Sequence, residues 1–551
     1  MKITFAGAAR CVTGSCFLLE SGNERILIDC GLGQGQDEKV IGDVFPFSPS
    51  SISAVILTHA HIDHSGRLPQ LVKEGFNGLI YSTGATHSLS SIMLLDSAHI
   101  QESEAEWKNR KGKRAGRPLV EPSYTEEDAY DALSLFQDCD YGKIYTLSSN
   151  VRFRFIDAGH LLGSASVELF VDENGKSEKI VLSGDIGNLN QPIIKDPEYI
   201  AAADYVVMES TYGTRLHEVK PTDDIMTRAK LLADITDRTF KRGGKVIIPS
   251  FAVGRTQEIL YLYRLIIEHK LLSYEIPVFL DSPLSVKATA IFKNSIRGDY
   301  FDDEAMELVK KGIIPVVFPS LIKTRDVNDS VALNSRKESC VIISSSGMCE
   351  AGRIKHHLKH NLWKRESTVL FVGYQASGTL GRSIVDGAKH VSILGEEIDV
   401  RCEVASLPGL SGHADKNGLI SWIEYFKEKP KKVYVVHGDE DSALAFANTL
   451  REKGYNAYAP KLFSTLDTSS VGEEEKAEIR TQNAAKEIKN AEDRLKETST
   501  ALESILRRFA LSLANIDTSD AKKAERLADA TNQLSDEIDE LNKRWKSDIK
   551  E

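Results

Sequence analysis

Between Thr58 and His64 the chain reads Thr-His-Ala-His-Ile-Asp-His, directly after the apolar run Ala54–Leu57. Three imidazoles and a carboxylate thus fall within six residues. A helix brings residues three or four apart onto one face, so this spacing suits a loop at the end of a strand. Imidazole nitrogens with carboxylate oxygens are the donors that zinc takes, and manganese fits the same set. His59 and His61 can converge on one ion, while Asp63 and His64 turn toward a second. A His-x-His pair alone would be an ordinary surface loop; the whole run after a strand is specific. Two further candidates stand at the kinds of place a two-metal site needs, though either taken alone would more often be an ordinary turn residue. His160 lies in Gly159-His160-Leu161-Leu162-Gly163-Ser164, after the strand-like Val151–Ile156. Asp185 lies in Ser183-Gly184-Asp185, and as a single carboxylate it can bridge two ions.

The rest of the first half has an α/β rhythm. Lys2–Phe5, Phe17–Glu20, Arg25–Asp29, Ala54–Leu57, Val151–Ile156, Ile180–Ser183 and Tyr205–Met208 read as strands, several ending in a polar residue at the rim of a sheet. A second rhythm begins near Ser210. Val246–Pro249, Pro277–Leu280, Val341–Ser344 and Thr368–Val372 are apolar throughout, as in a parallel sheet buried on both faces. Lys432–Val436 is a further strand leading into His437.

A length of 551 residues predicts two or three domains. The balance of 41% hydrophobic and 27% charged residues is that of a soluble globular chain, and no apolar run approaches a membrane span. Met1–Phe5 reads as the start of a strand rather than a signal peptide, so a cytoplasmic location is expected. The seven cysteines are scattered without a CxxC pair, which argues against a disulfide framework or a cysteine zinc site. A net charge of -11 disfavours nucleic-acid binding by the bulk surface, but leaves room for a local basic groove or for metal ions to carry the positive charge.

Asp29, the His59–His64 run, His160 and Asp185 resemble, in order, the motifs of the metallo-β-lactamase superfamily. Three later motifs narrow the likeness: Met208-Glu209-Ser210-Thr211-Tyr212-Gly213, Ser411-Gly412-His413-Ala414-Asp415 and Val436-His437-Gly438-Asp439. With Gly7–Ser15 they resemble the β-CASP family, its nucleic-acid-processing branch, close to the pre-mRNA 3′-end endonuclease subunit and its bacterial and archaeal relatives. The resemblance implies an α/β fold: an αββα sandwich from residues 1–209 and 386–467, a parallel β-CASP domain inserted at 210–385, and a C-terminal extension at 468–551. It implies one zinc on His59, His61, His160 and Asp185, and a second on Asp63, His64, His437 and Asp185. Asp29 would order the metal-binding loop without being a ligand. Glu209 and His413 would form a proton relay, Asp63 and Asp185 standing with them at the reacting centre. The implied reaction is hydrolysis of RNA phosphodiester bonds by water activated between two zinc ions, by internal cutting with 5′-to-3′ exonuclease action as an additional mode. DNA-acting relatives usually carry valine in place of His437, so its presence favours RNA, entering as a single strand.

Two small-residue turns follow buried strands: Ser344-Ser345-Ser346-Gly347-Met348 and Gly373–Arg382. Backbone N–H groups and hydroxyls there suit a phosphate, and Ser344, Ser346, Gly347, Ser377, Gly378, Thr379 and Arg382 are the candidate substrate contacts, against a reading as plain strand-to-helix turns. The basic stretch Lys108–Arg117 is a solvated face or a flexible edge of the RNA groove. His356, His357 and His360 read as a surface or interdomain helix rather than a third metal site. In the proline-free tail, Ile488, Leu495, Leu502 and Phe509 repeat every seven residues, as do Leu527, Leu534 and Leu541. This predicts a helical hairpin or a coiled coil through which two copies associate. A DNA nuclease is the nearest rival function; a hydrolase of small esters or thioesters and an inactive RNA-binding subunit are others.

Overall fold

The computed structural model describes residues 1–113, 118–173, 175–217, 224–376, 378–467 and 525. The heptads of the tail, Ser377 and the end of the Lys108–Arg117 stretch lie outside them.

Two seven-stranded sheets face one another. The first runs in the order Thr465–Asp467, Lys2–Phe5, Phe17–Ser21, Glu24–Ile28, Ala54–Ile56, Leu79–Thr83, Phe136–Cys139. The second runs Ala457–Tyr458, Lys432–Val436, Tyr205–Glu209, Lys176–Leu182, Ala165–Glu173, Val151–Asp157, Ile144–Thr146. Alternate residues of both turn inward: Phe5, Phe17, Ile28 and Ile56 meet Phe153, Phe155, Val167, Val207 and Val436 in one buried core. The opposite faces are covered by helices. Leu68, Leu94, Ala98 and Tyr124 pack with Leu27 and Val55 on the first sheet, and Trp422, Ile423 and Phe446 pack with Val206 and Val433 on the second. This is an αββα sandwich.

The inserted unit is built on a third, wholly parallel sheet in the order Leu321–Lys323, Val278–Leu280, Val341–Ser344, Val246–Pro249, Thr368–Phe371, Glu403–Ser406. Its central strands are buried throughout, which is why their sequences are apolar without alternation. The strand Glu403–Ser406 pairs with Thr368–Phe371, so this sheet runs to Ser406, past the expected return to the sandwich at residue 386. Glu403 breaks the apolar pattern there because it pairs with Arg238 and Arg242 on the adjoining helix.

Sandwich and inserted unit share a core. Ala85, Leu89, Leu161 and Leu162 belong to the same buried cluster as Val253, Ile259 and Leu260.

Parallel strands aim the functional residues. Glu24–Ile28, Ala54–Ile56 and Leu79–Thr83 run together in one sheet, and Lys176–Leu182, Tyr205–Glu209 and Lys432–Val436 in the other. Asp29, the Thr58–His64 turn, Asp185, Glu209 and His437 therefore all lie at carboxyl ends of strands, the usual place for a site in such sheets.

Candidate active site

The Thr58–His64 turn leaves its strand and enters a short helix, Ile62–Ser65, so that His61 caps the helix in a non-helical conformation while Asp63 and His64 are helical. The backbone is held from several sides. Asp29 accepts from Thr58 N at 2.8 Å and from Thr58 Oγ1 at 2.9 Å. Ser15 N donates to the carbonyl of Asp63 at 2.7 Å, and Ala8 and Cys11 carbonyls accept from the N–H groups of His437 and Gly438. The Gly7–Ser15 segment thus ties both halves of the centre together. Asp29 and His437 adopt positive φ, 61° and 49°, a conformation costly for such residues unless their surroundings impose it.

Donor atoms converge in two sets. Nε2 of His59 and Nε2 of His160 lie 3.1 and 3.2 Å from Nδ1 of His61, and 3.4 and 3.6 Å from Oδ2 of Asp185. Nε2 of His64 and of His437 are 3.1 Å apart, and they face Oδ1 of Asp185 at 3.2 and 3.5 Å; Asp63 Oδ2 is 3.6 Å from His437. The two oxygens of Asp185 are divided between the sets.

Both sets fit a metal. A tetrahedron with bonds of about 2.0–2.1 Å has its corners about 3.3–3.4 Å apart, close to the spacings seen. The remote ring nitrogens are already engaged: His64 Nδ1 with Asp29 at 2.7 Å, His160 Nδ1 with the Gly412 carbonyl at 3.1 Å, His437 Nδ1 with Thr211 Oγ1 at 3.0 Å and His59 Nδ1 with Thr58 Oγ1 at 3.1 Å. Each of those contacts leaves Nε2 free to turn a lone pair inward. Asp185 Oδ1 is buried, with the Nε2 atoms of His64 and His437 facing it. Such lone pairs repel unless a proton or a cation lies among them. Burial lowers the basicity of His64 and His437, but the carboxylates beside them outweigh it and raise both; burial and neighbouring imidazoles hold His59, His61 and His160 down. Burial would raise Asp185, yet His437 and His64 hold it well below the usual carboxylate range.

Glu209 and His413 sit against this centre. Glu209 is fully buried; its Oε1 accepts from Ile186 N at 2.6 Å and lies 3.2 Å from Nδ1 of His413. Burial opposes a charge on His413, but Glu209 prevails and raises it to about 9. That imidazole is cationic at neutral pH.

The small-residue turns behave differently. Ser344 is buried and donates its hydroxyl to the carbonyl of Asp281 at 2.7 Å, so it braces the inserted sheet instead of offering a donor to substrate. Gly347 lies beneath Phe251, where a Cβ would come within 3.0 Å of the ring. Ser346 Oγ accepts from Ala351 N at 3.2 Å. Gly378 has a φ of 83°, and Thr379 caps the helix Leu380–Val385 by accepting from Arg382 N. Arg382 is paired with Asp386. His357 is neither on the surface nor between domains: it is fully buried, with Nε2 2.6 Å from Asp281 Oδ2 and Nδ1 3.0 Å from Asn334 Oδ1. Asp281 also accepts from Thr324, Ser330 and Arg353. Sequence reasoning missed this network; the sign was an Asp at the end of an apolar strand.

Three family models match the chain in succession: the Metallo-beta-lactamase superfamily at residues 9–140, the Beta-Casp domain at 256–384 and the Zn-dependent metallo-hydrolase RNA specificity domain at 397–460. Ribonuclease TTHA0252 of Thermus thermophilus is 37% identical over 454 residues, covering 82% of this chain and 97% of that protein. Transcription termination factor FttA of Methanocaldococcus jannaschii is 32% identical over 465 residues, 82% of this chain and 69% of that one. An RNase J-like protein of the same organism is 32% identical over 449 residues, 81% and 95% respectively. With the sandwich, the inserted parallel sheet and both donor sets present, the chain belongs to the β-CASP family of the metallo-β-lactamase superfamily.

Proposed function

We propose that the chain is a metal-dependent ribonuclease that hydrolyses phosphodiester bonds of single-stranded RNA, cutting internally and with 5′-to-3′ exonuclease action open to the same centre. The observation that carries this reading is Asp185, whose two oxygens face two separate histidine sets beside the Glu209–His413 pair. The name of the relative Ribonuclease TTHA0252, together with His437, supports RNA as substrate.

His59, His61, His160 and Asp185 would hold one zinc, and Asp63, His64, His437 and Asp185 a second; such a pair, when bound, supplies an activated water and positive charge against the phosphate. The protein's own residues do the rest. Asp29 fixes His64 and the turn that carries it. His413, charged through Glu209, donates its Nε2 proton to the oxygen that leaves, and Glu209, held by Ile186 N–H, keeps the imidazole oriented behind it. The domain reading follows the same family pattern, with the inserted unit taken to Ser406. Among the described residues no helix is long and apolar enough to cross a membrane, and cytoplasmic action and pairing of two copies through the tail complete the proposal. A monomer mass in light scattering at high concentration would remove the pairing.

The test compares metal-loaded protein with Asp63→Ala on end-labelled single-stranded RNA and DNA of one sequence. Cleavage of RNA by the unaltered protein alone is expected, and the fragment ladder separates internal from terminal cutting. Preference for DNA would reverse the reading of His437. No cleavage of either, with two metals bound, would transfer the case to a small ester or thioester.

A further inference from the structure

We propose that Tyr374 and Phe251 form a stacking platform for RNA bases on the His413 side of the donor sets, with Arg215 as its cationic partner; the proposal rests on the ribonuclease reading above. Both aromatics leave the carboxyl ends of neighbouring parallel strands, Phe251 after Val246–Pro249 and Tyr374 after Thr368–Phe371. Phe251 is 48% exposed and Tyr374 46%, whereas Phe279 and Phe371 of the same sheet are buried. One glycine locks the two loops. The ring of Phe251 lies over Gly347, and the carbonyl of Gly347 accepts from Gln375 Nε2 at 3.1 Å, next to Tyr374.

The platform adjoins the reacting centre. The Arg215 guanidinium stands 5.1 Å from the centre of the Tyr374 ring. Arg215 N donates to the Tyr212 carbonyl at 3.0 Å, and the Tyr212 ring meets His413 edge-on at 6.0 Å. On the other side, a Cβ on Gly254 in the Phe251 loop would touch Leu161, the neighbour of His160. Outward from the proton donor the order is therefore Tyr212, Arg215, Tyr374.

Aromatic faces left in water beside a guanidinium suit the flat face of an unpaired base, and every base has one. Bases within a duplex are already stacked and paired, so the platform selects an open strand while reading its sequence weakly.

The test uses the full chain, metal-loaded, on single-stranded RNA in which one abasic nucleotide is walked past the cut. With unaltered protein, one or two positions are expected to raise KM about tenfold when abasic. Tyr374→Ala and Phe251→Ala should each raise KM for intact RNA by about the same factor, with kcat within about twofold, and lose sensitivity at one of those positions. Tyr374→Phe should restore both, while Tyr374→Leu, which keeps bulk without a ring, should not. Unaltered KM and abasic profile in Tyr374→Ala, or rescue by leucine, overturns the platform alone. An unaltered protein that cuts no RNA overturns the ribonuclease reading and the platform with it.

Discussion

At Asp185 one carboxylate faces four imidazole nitrogens within 3.6 Å, two on each oxygen. Asp185→Ala is expected to drop metal content below one ion per chain, read by elemental analysis, and to end cleavage with it. Glu209→Gln keeps the shape but removes the charge behind His413. It should lower kcat about 10²–10⁴-fold. His413 must be protonated to donate, so activity in the unaltered protein should fall as pH rises through the raised range that Glu209 sets for this imidazole. In Glu209→Gln the alkaline fall should begin at lower pH, toward the ordinary histidine range; a pH profile of kcat reads the shift. The metals compete with protons as well. Carboxylates raise His64 and His437, so these rings must lose protons to become ligands, and affinity should weaken as pH falls. Calorimetry in buffers of different ionisation enthalpy would count the protons released.

Among the elements, the turn from Thr58 to His64 depends on a neighbour with no side chain. A Cβ on Gly31 would sit 1.7 Å from the carbonyl oxygen of Asp63. Gly31→Ala should therefore displace the turn and weaken metal binding by an order of magnitude or more, visible as lost metal after dialysis, while the far strands stay folded. The residues that converge in the two donor sets could be picked out of the sequence because they follow the ends of strands and several crowd one turn. Other elements were hidden. The strand Ala165–Glu173 escaped because Glu168 interrupts its apolar pattern, and that carboxylate is buried only because Arg154 and Lys179 reach it from the strands on either side. Ser344 looked like a phosphate donor because sequence does not reveal that the Asp281 carbonyl already takes its hydroxyl. His357 looked exposed on its helix for the same reason, its partner Asp281 lying 76 residues away.

For the whole molecule, metal and fold should be linked. The donor sets join both sheets of the sandwich, so ions bind the folded chain and not the unfolded one. At about a thousand times Kd each ion contributes about 4 kcal/mol. A chelator is thus expected to lower the melting temperature measurably, and restored metal to return it. The two-part architecture was legible as a change from strands with polar ends to strands apolar throughout. The last strand of the inserted sheet was not, since Glu403 carries the mark of a surface residue while its strand pairs with Thr368–Phe371.

The first strand, Lys2–Phe5, lies between Phe17–Ser21 and Thr465–Asp467, and His64 meets His437 across 373 positions of sequence. During synthesis Lys2–Phe5 must wait for Thr465–Asp467. A ribosome that has delivered the Thr58–His64 turn, His160, Asp185 and the whole inserted unit still carries an unarmed protein, because His413 and His437 have not emerged. The nuclease would thus be inert beside the messenger that encodes it until translation has passed the final ligand. Truncated products of interrupted synthesis would be harmless to RNA for the same reason.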